Sequence, residues 1–357
     1  MTRRTYASTP RDISKGSDEY KPDVGSVRIW AVREPGGFET RPYAVCGVFR
    51  QRRQTILTGR SNAPVVRLLR LAREGPRVAS GTMGADKGGG LDFASLSGTR
   101  VVDLSLTVSE RLPSTWPGHM NYAHHNWNWF AEVEGPTGTT KSIDPYQTNF
   151  FVIDEHCGTH FDAPTHFIPP PGSGLGLAGP LGDQTGDKVP LEDLMGPATV
   201  VDVQFLAGEG GPGISPFITA DHVREWEEEH GALRAGEVVL FRTGWDRFYV
   251  EDEEGEKYMH GSLVTGEHPG WPAPAPETAI YLHEIGVKTI GIDAPSIGSA
   301  HDGVPVHQEG LSRGMRYVEI LTNLGELPVR GAYFIFMPVK IAESSGGPGR
   351  AMALLPE

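Results

Sequence analysis

The sequence predicts an α/β fold, and three observations carry that prediction. Short apolar runs recur along residues 96–357, helical stretches with recognisable caps fall between them, and no apolar run is long enough to span a membrane. At 357 residues and 38% hydrophobic content, the chain exceeds one ordinary domain and can supply a sizeable core.

Residues 100–106, 149–153, 199–203, 238–242, 289–292 and 332–338 read as strands, each short and apolar. Residues 219–230 read as a helix, with Thr219 as its N-cap, acidic residues in its turns and Gly231 at its end. A second helix is expected over 276–284, opened by Pro276 and stopped by Gly286. Residues 169–183, rich in Gly and Pro, read as a loop over a functional site. Their glycines do not pass from a strand into a helix with phosphate-binding spacing, so a nucleotide site is rejected. The acidic run 251–256 lacks the ligand spacing of an EF-hand and reads as a solvated loop.

Charge divides the chain. The net charge is −13, yet residues 1–82 hold 16 basic and 7 acidic side chains, leaving 16 basic and 38 acidic for the rest. Residues 1–95 therefore read as a basic N-terminal extension, either disordered or the product of a misplaced start with Met83 as the true first residue. Residues 96–357 read as the catalytic domain. Arginine clusters such as Arg50-Gln-Arg-Arg53 could hold phosphates, but a nucleic-acid arm is set aside because the mundane explanation suffices. Two cysteines, Cys46 and Cys157, form no disulfide framework, which fits a reducing cytoplasm.

The most informative segment is 154–166, Asp-Glu-His-Cys-Gly-Thr-His-Phe-Asp-Ala-Pro-Thr-His. It spaces His156, His160, Asp162 and His166 as His-x3-His-x-Asp-x3-His. Imidazoles and carboxylates at such density are metal ligands in the making. A helix would not put Asp162 on the face of His160, and Pro164 opposes a helix through this region. In a fully extended strand His156 and His160 would stand roughly 13 Å apart, too far to share an ion comfortably. The segment is therefore expected to be extended but bent, with Gly158 as the bend.

These residues carry a resemblance. His156-Cys-Gly-Thr-His160-Phe-Asp162-Ala-Pro164-Thr-His166 is similar to the H-x-G-T-H-x-D-x-P-x-H signature of a cyclase family that includes bacterial kynurenine formamidase, isatin hydrolase and some polyketide-pathway cyclases. The likeness runs from about Gly98 to Met352. It includes Val102-Asp-Leu-Ser-Leu106, Trp116-Pro-Gly118, Phe241-Arg-Thr-Gly-Trp245, Gly291-Ile-Asp-Ala-Pro-Ser296 and Val318-Glu-Ile-Leu-Thr-Asn-Leu324, in that order.

The resemblance implies a swivelling β/β/α fold, with mixed sheets and flanking helices. It implies that His156 and His160 bind one metal, that Asp162 bridges to a second, and that His307 and Glu319 complete the second site. It assigns His166 as the general acid/base. Twelve residues of straight helix would separate His307 from Glu319 by about 18 Å, so the chain must bend between them, at Gly310 or Gly314. Asp293 and Ser296 belong near the site by the same resemblance. Zinc is expected, with manganese as the alternative, as one or two ions per subunit. A homo-oligomer is implied as well.

The chemistry follows from such a site. A divalent ion lowers the pKa of a bound water to about 7, and an imidazole can pass a proton to a leaving nitrogen. The expected activity is hydrolysis of an amide, formamide (arylformamidase activity) or lactam bond in a small molecule, with no membrane or nucleic-acid partner. The same ion and base could instead enolise a carbonyl and close a ring, as a polyketide-type cyclase does. Trp116, Trp127, Trp129 and Phe167 are the expected substrate-binding residues, since an indole-lined pocket suits a flat or bulky apolar substrate, and Trp127 and Trp129 alternate as they would on one face of a strand.

Overall fold

In the computed structural model the described residues are 98–135, 138–140 and 142–356. The basic extension expected over residues 1–95 lies wholly outside the described residues, as does the alternative start at Met83. The first strands are β1 (Arg100–Asp103), β2 (Ala123–Asn128), β3 (Val133–Gly135), β4 (Gly138–Thr140), β5 (Thr148–Val152), β6 (His160–Asp162) and β7 (Met195–Asp202). Then follow β8 (Phe217–Ile218), α1 (Ala220–His230), β9 (Val238–Arg242), α2 (His260–Leu263), β10 (Ala273–Pro274) and α3 (Pro276–Ile285). The chain ends with β11 (Thr289–Ile292), α4 (Val304–Leu311), β12 (Arg316–Glu319), β13 (Arg330–Pro338) and β14 (Gly346–Leu355).

Eight strands form one mixed sheet in the order β1-β14-β13-β7-β9-β11-β12-β6. β6 pairs with β12 on one side and with β14 on the other, so the sheet closes on itself like a barrel, with β1 added to β14 beside it. Closure leaves few unpaired edges. β7, β9, β11 and β12 run parallel, and the connections between them carry α1, α2 with α3, and α4. Parallel neighbours need such crossovers, which is why helices flank this side of the sheet.

Side chains alternate across the sheet. In β9, Val238 and Leu240 join a core with Val200, Val318, Phe334, Phe336 and Ala353. Val239 and Phe241 face a second core, built with Trp226 of α1, Leu282 of α3 and Val306 of α4. Thr219 caps α1 by accepting from the His222 backbone N–H, while its own N–H is held by the His222 ring. Gly286 ends α3 in the left-handed conformation.

The expected α/β class with mixed sheets and flanking helices is therefore observed. The strands expected at 238–242 and 289–292 have those bounds, and both expected helices form. The strand expected at 100–106 is shorter, and those at 199–203 and 332–338 begin earlier than expected. The hairpin β2–β5 and the pair β3–β4 stand as separate two-stranded sheets. Among the described residues no helix is long and apolar enough to cross a membrane.

Candidate metal centre

The motif bends where a glycine allows it. Gly158 has φ +64, and a Cβ there would lie 2.4 Å from a methyl of Val108, so only glycine fits. The bend folds His156 back toward β6 until its ring lies 5.0 Å, centre to centre, from that of His160. Pro164–His166 forms a tight turn directly after β6, which stacks His166 on His156 at 4.0 Å.

The other half of the site arrives through the sheet. β12 pairs with β6 so that Glu319 stands opposite His160. α4 then turns through Gly314, at φ +77, into β12, and this sharp reversal brings His307 to Glu319. His307 Nε2 is 3.3 Å from Glu319 Oε1 and 3.4 Å from Asp162 Oδ2. His160 Nε2 is 3.4 Å from Glu319 Oε2 and 3.6 Å from Asp162 Oδ1. His156 Nδ1 is 2.9 Å from Asp162 Oδ1. All five expected ligands therefore converge, with Asp162 at the centre.

The surroundings orient these groups. His160 and His307 each place Nδ1 against a backbone carbonyl, of Gly158 at 2.8 Å and of Gly303 at 2.7 Å. That fixes the proton on Nδ1 and turns Nε2 inward as the free donor of an electron pair. Glu319 Oε1 accepts from the Ser296 hydroxyl at 2.9 Å and from the Ile297 N–H at 2.6 Å. His156 Nε2 contacts Ser345 Oγ at 2.9 Å. Ile320, next to Glu319, is held at φ +58, an uncommon conformation for a β-branched residue that costs about 1–3 kcal/mol. Hydrogen bonds from Thr159 Oγ1 to its carbonyl and from its N–H to Ala294 pin it there.

Electrostatics show a cluster in need of a cation. Burial alone would raise the Asp162 carboxyl, but the facing imidazoles of His166, His156 and His307 outweigh it and hold it well below the usual range. Burial opposes charge on His307 too, yet contact with Asp162 and Glu319 raises it to about 10. His160 is likewise raised, burial being overcome by Glu319 and Asp162. His166 goes the other way. Burial dominates and lowers it to about 4, so it stands neutral beside the charged cluster.

Two observations test whether a metal fits. Asp162 Oδ2 is fully buried and has no hydrogen-bond partner among the described residues, the His307 contact lacking hydrogen-bond alignment. Such an orphan is costly unless something cationic meets it. Two ligand groups also emerge on distance alone, His160 with Asp162 and Glu319, and His156 with Asp162 and His166. Imidazole and carboxylate donors of this kind suit zinc, manganese or iron. The residues fit a divalent ion.

A cavity of about 410 Å³ opens onto the cluster. His156, His160, His166, His307 and Glu319 line it on one side, and Trp116, Phe167, Met259 and Ile320 add apolar wall. Phe167 also stacks on His307 at 4.4 Å. Trp116 and Phe167, expected to bind substrate, thus both lie in the wall of this cavity. Trp127 and Trp129 do not line this cavity. Trp127 lies on β2 and Trp129 just past its end, both exposed, so the expected shared strand face does not form. Residues 169–183 are a loop that ends in a short helical turn at Pro180–Asp183, and none of them lines the cavity; Thr165 of the Pro164–His166 turn donates to the Gly182 carbonyl. Glu155, Ser345 and His119 escaped the sequence reading, and Ser296 was placed near the site without a role. Ser345 lies 189 residues from His156, and no local pattern marks it.

A barrel-like mixed sheet with one helical flank thus carries a buried His/Asp/Glu cluster that could hold a metal ion, on an α/β framework. The family described as "Putative cyclase" matches residues 102–299, and the chain belongs to it. An isatin hydrolase of Roseibium aggregatum is 34% identical over 214 residues, 58% of this chain and 75% of that protein. A kynurenine formamidase of Salinibacter ruber is 28% identical over 260 residues, 71% of this chain and 96% of that protein. Among solved structures, an isatin hydrolase bound to the product analogue thioisatinate superposes with a TM-score of 0.61 at 27% identity, covering 77% of this chain and all of that one.

Proposed function

We propose that this protein is a metal-dependent hydrolase that opens a carbon–nitrogen bond of a small amide, formamide or lactam. The observation that carries this reading is the buried cluster in which Asp162, with Oδ2 lacking a hydrogen bond, faces His160 and His307, and both imidazoles in turn face Glu319. Relatives named as hydrolases of isatin and as formamidases support it. His156, His160, Asp162, His307 and Glu319 would hold one or two ions, zinc by preference and manganese as the alternative. When bound, the ion supplies Lewis acidity for the carbonyl and acidifies water.

The chain's own residues do the rest. His166 is neutral, buried beside the cluster and exposed to the cavity on one edge, so it can accept a proton and return it to the leaving nitrogen. Trp116 and Phe167 offer flat apolar surface to an aromatic substrate. A homo-oligomer is part of the proposal, supported by the β2–β5 hairpin, where Trp127 and Phe150 lie open to solvent on one face. A reducing, cytoplasmic setting is supported by the unpaired, buried Cys157.

The test is turnover of isatin and a simple aryl formamide by the full chain, stripped with chelator and then reloaded with Zn²⁺ or Mn²⁺, in ¹⁸O-labelled water. Activity should return with the ion, and the product should carry the label. Unlabelled, ring-closed product would favour the cyclase chemistry named by the family, and a chain that takes up no divalent ion would end both readings.

A further inference from the structure

We propose that Ser345 and Glu155 are positioning residues of the metal centre, a pair that holds His156 with its proton on Nε2 and its Nδ1 electron pair turned toward Asp162. The inference rests on the reading of His156 as a ligand. It starts from an asymmetry. His160 and His307 are oriented by backbone carbonyls on Nδ1 and face the cluster through Nε2. His156 is reversed. Its Nδ1 faces Asp162 Oδ1 at 2.9 Å, and its Nε2 faces the hydroxyl of Ser345 at 2.9 Å.

The proton positions follow from what each atom can do. A carboxylate oxygen accepts hydrogen bonds, and Glu155 Oε2 takes both groups that Ser345 can donate, the hydroxyl at 2.7 Å and the backbone N–H at 2.8 Å. The serine has one hydroxyl proton, and Glu155 holds it. Toward His156 the same oxygen can only accept, so Nε2 must carry the hydrogen. Asp162 Oδ1 can only accept as well, so an ion held at Nδ1 would take the place of a hydrogen between those two atoms, while Nε2 keeps its own.

Ser345 is placed for this by the fold. It directly precedes β14, whose Gly346 pairs with Asp162 of β6, and its carbonyl accepts from the Ala163 N–H at 2.9 Å. The strand pairing that closes the barrel thereby also delivers the hydroxyl to the ring. Glu155 is the chain neighbour of His156, so the three groups form a closed triangle.

Without the hydroxyl, nothing among these contacts would hold a proton on Nε2. The competing form would place it on Nδ1, donated to Asp162 Oδ1, and that would occupy two ligand atoms at once. Outer partners of metal-binding histidines are worth about 10- to 100-fold in affinity.

The experiment titrates Zn²⁺ and Mn²⁺ into chelator-stripped full chain, with unfolding midpoints of the metal-free proteins measured in parallel. Ser345→Ala should bind the ion about 10- to 100-fold more weakly, with a metal-free midpoint close to that of the parent. Ser345→Thr, which keeps the hydroxyl, should recover most of the affinity. Glu155→Ala should weaken binding in the same direction, and the double variant should be no weaker than the worse single one, as for residues acting through one path. His156→Ala serves as the control for the ligand itself. If it loses the ion while Ser345→Ala binds like the parent, the positioning role is overturned and the ligand reading stands. If His156→Ala also binds like the parent, both fall. A weakened Ser345→Ala that has lost metal-free stability and is not rescued by threonine would likewise overturn the proposal, since that is the signature of a structural residue.

Discussion

The cavity-side cluster and the β2–β5 hairpin differ in how their polar and apolar groups are satisfied. In the cluster, every candidate ligand except Asp162 has a second partner behind it: Gly158 for His160, Gly303 for His307, Ser345 for His156, and Ser296 with Ile297 for Glu319. All of these come from one chain. In the hairpin, two strands pair only with each other, and the aromatics of its two faces, Trp127 (62% exposed) beside Phe150 on one and Phe151 (59% exposed) beside Tyr122 on the other, meet little but their hairpin neighbours. A lone two-stranded hairpin is marginally stable in water. The difference is one of support: the candidate ligands are held from behind by their own chain, whereas the hairpin leaves its aromatics exposed.

The largest break in that comparison comes from the cluster. His166→Ala should reduce turnover by about 10²–10⁴, the usual worth of a general acid/base, while leaving metal content unchanged. Elemental analysis alongside initial rates checks both halves. Loss of the ion together with activity would make His166 a ligand, a role its proximity to His156 and Asp162 would permit.

A second effect sharpens the claim that the cluster is shaped for a cation. In metal-free protein, burial works against charge on His307, but Asp162 and Glu319 raise it to about 10. An unfolded histidine titrates near 6.5. Between these values the folded chain binds more protons than the unfolded one, so this contribution is fully present below about pH 6.5 and is lost as pH rises toward 10. His166, lowered by burial to about 4, acts in the opposite sense, because below about pH 6.5 the unfolded chain takes up a proton that the folded one refuses. The melting temperature of stripped protein should therefore fall on both sides of about pH 6.5. Loading with Zn²⁺ should flatten the alkaline side, since the ion replaces the proton. An alkaline slope identical with and without metal would show that the cluster does not exchange one for the other.

What could be read from the sequence tracks locality. His156, His160, Asp162 and His166 lie within one short segment, and the distance between them in an extended strand demands a bend, which Gly158 supplies at φ +64. The strands at 238–242 and 289–292 are apolar because both faces are buried, which is the easiest strand to recognise. β14 begins Gly346-Gly-Pro-Gly, a pattern of chain breakers. It is extended there because β6 and β13 flank it, a condition set by residues far away in sequence. His307 and Glu319 could be suggested only by resemblance, since a helix, a turn and a strand pairing are needed to bring them together. Ser345 was beyond reach for the same reason. Trp127 and Trp129 misled because alternation predicts a shared face only while the strand continues, and β2 stops at Asn128.

The smallest effect on the cluster should come from the hairpin, which makes it the most direct probe of the contrast. Phe150 packs against both His125 and Trp127, so Phe150→Ser removes the centre of the exposed aromatic face without touching a ligand or any residue that orients one. If the face is covered by a second copy of the chain, light scattering should show the parent as an oligomer and the variant shifted toward monomer. Affinity for Zn²⁺ should stay within about twofold, because surface changes far from a site usually cost little there. A monomeric parent would remove the homo-oligomer from the proposal. A variant that becomes monomeric and also loses the ion would do more damage, since it would mean that the cluster is not complete within one subunit and that the two regions are coupled.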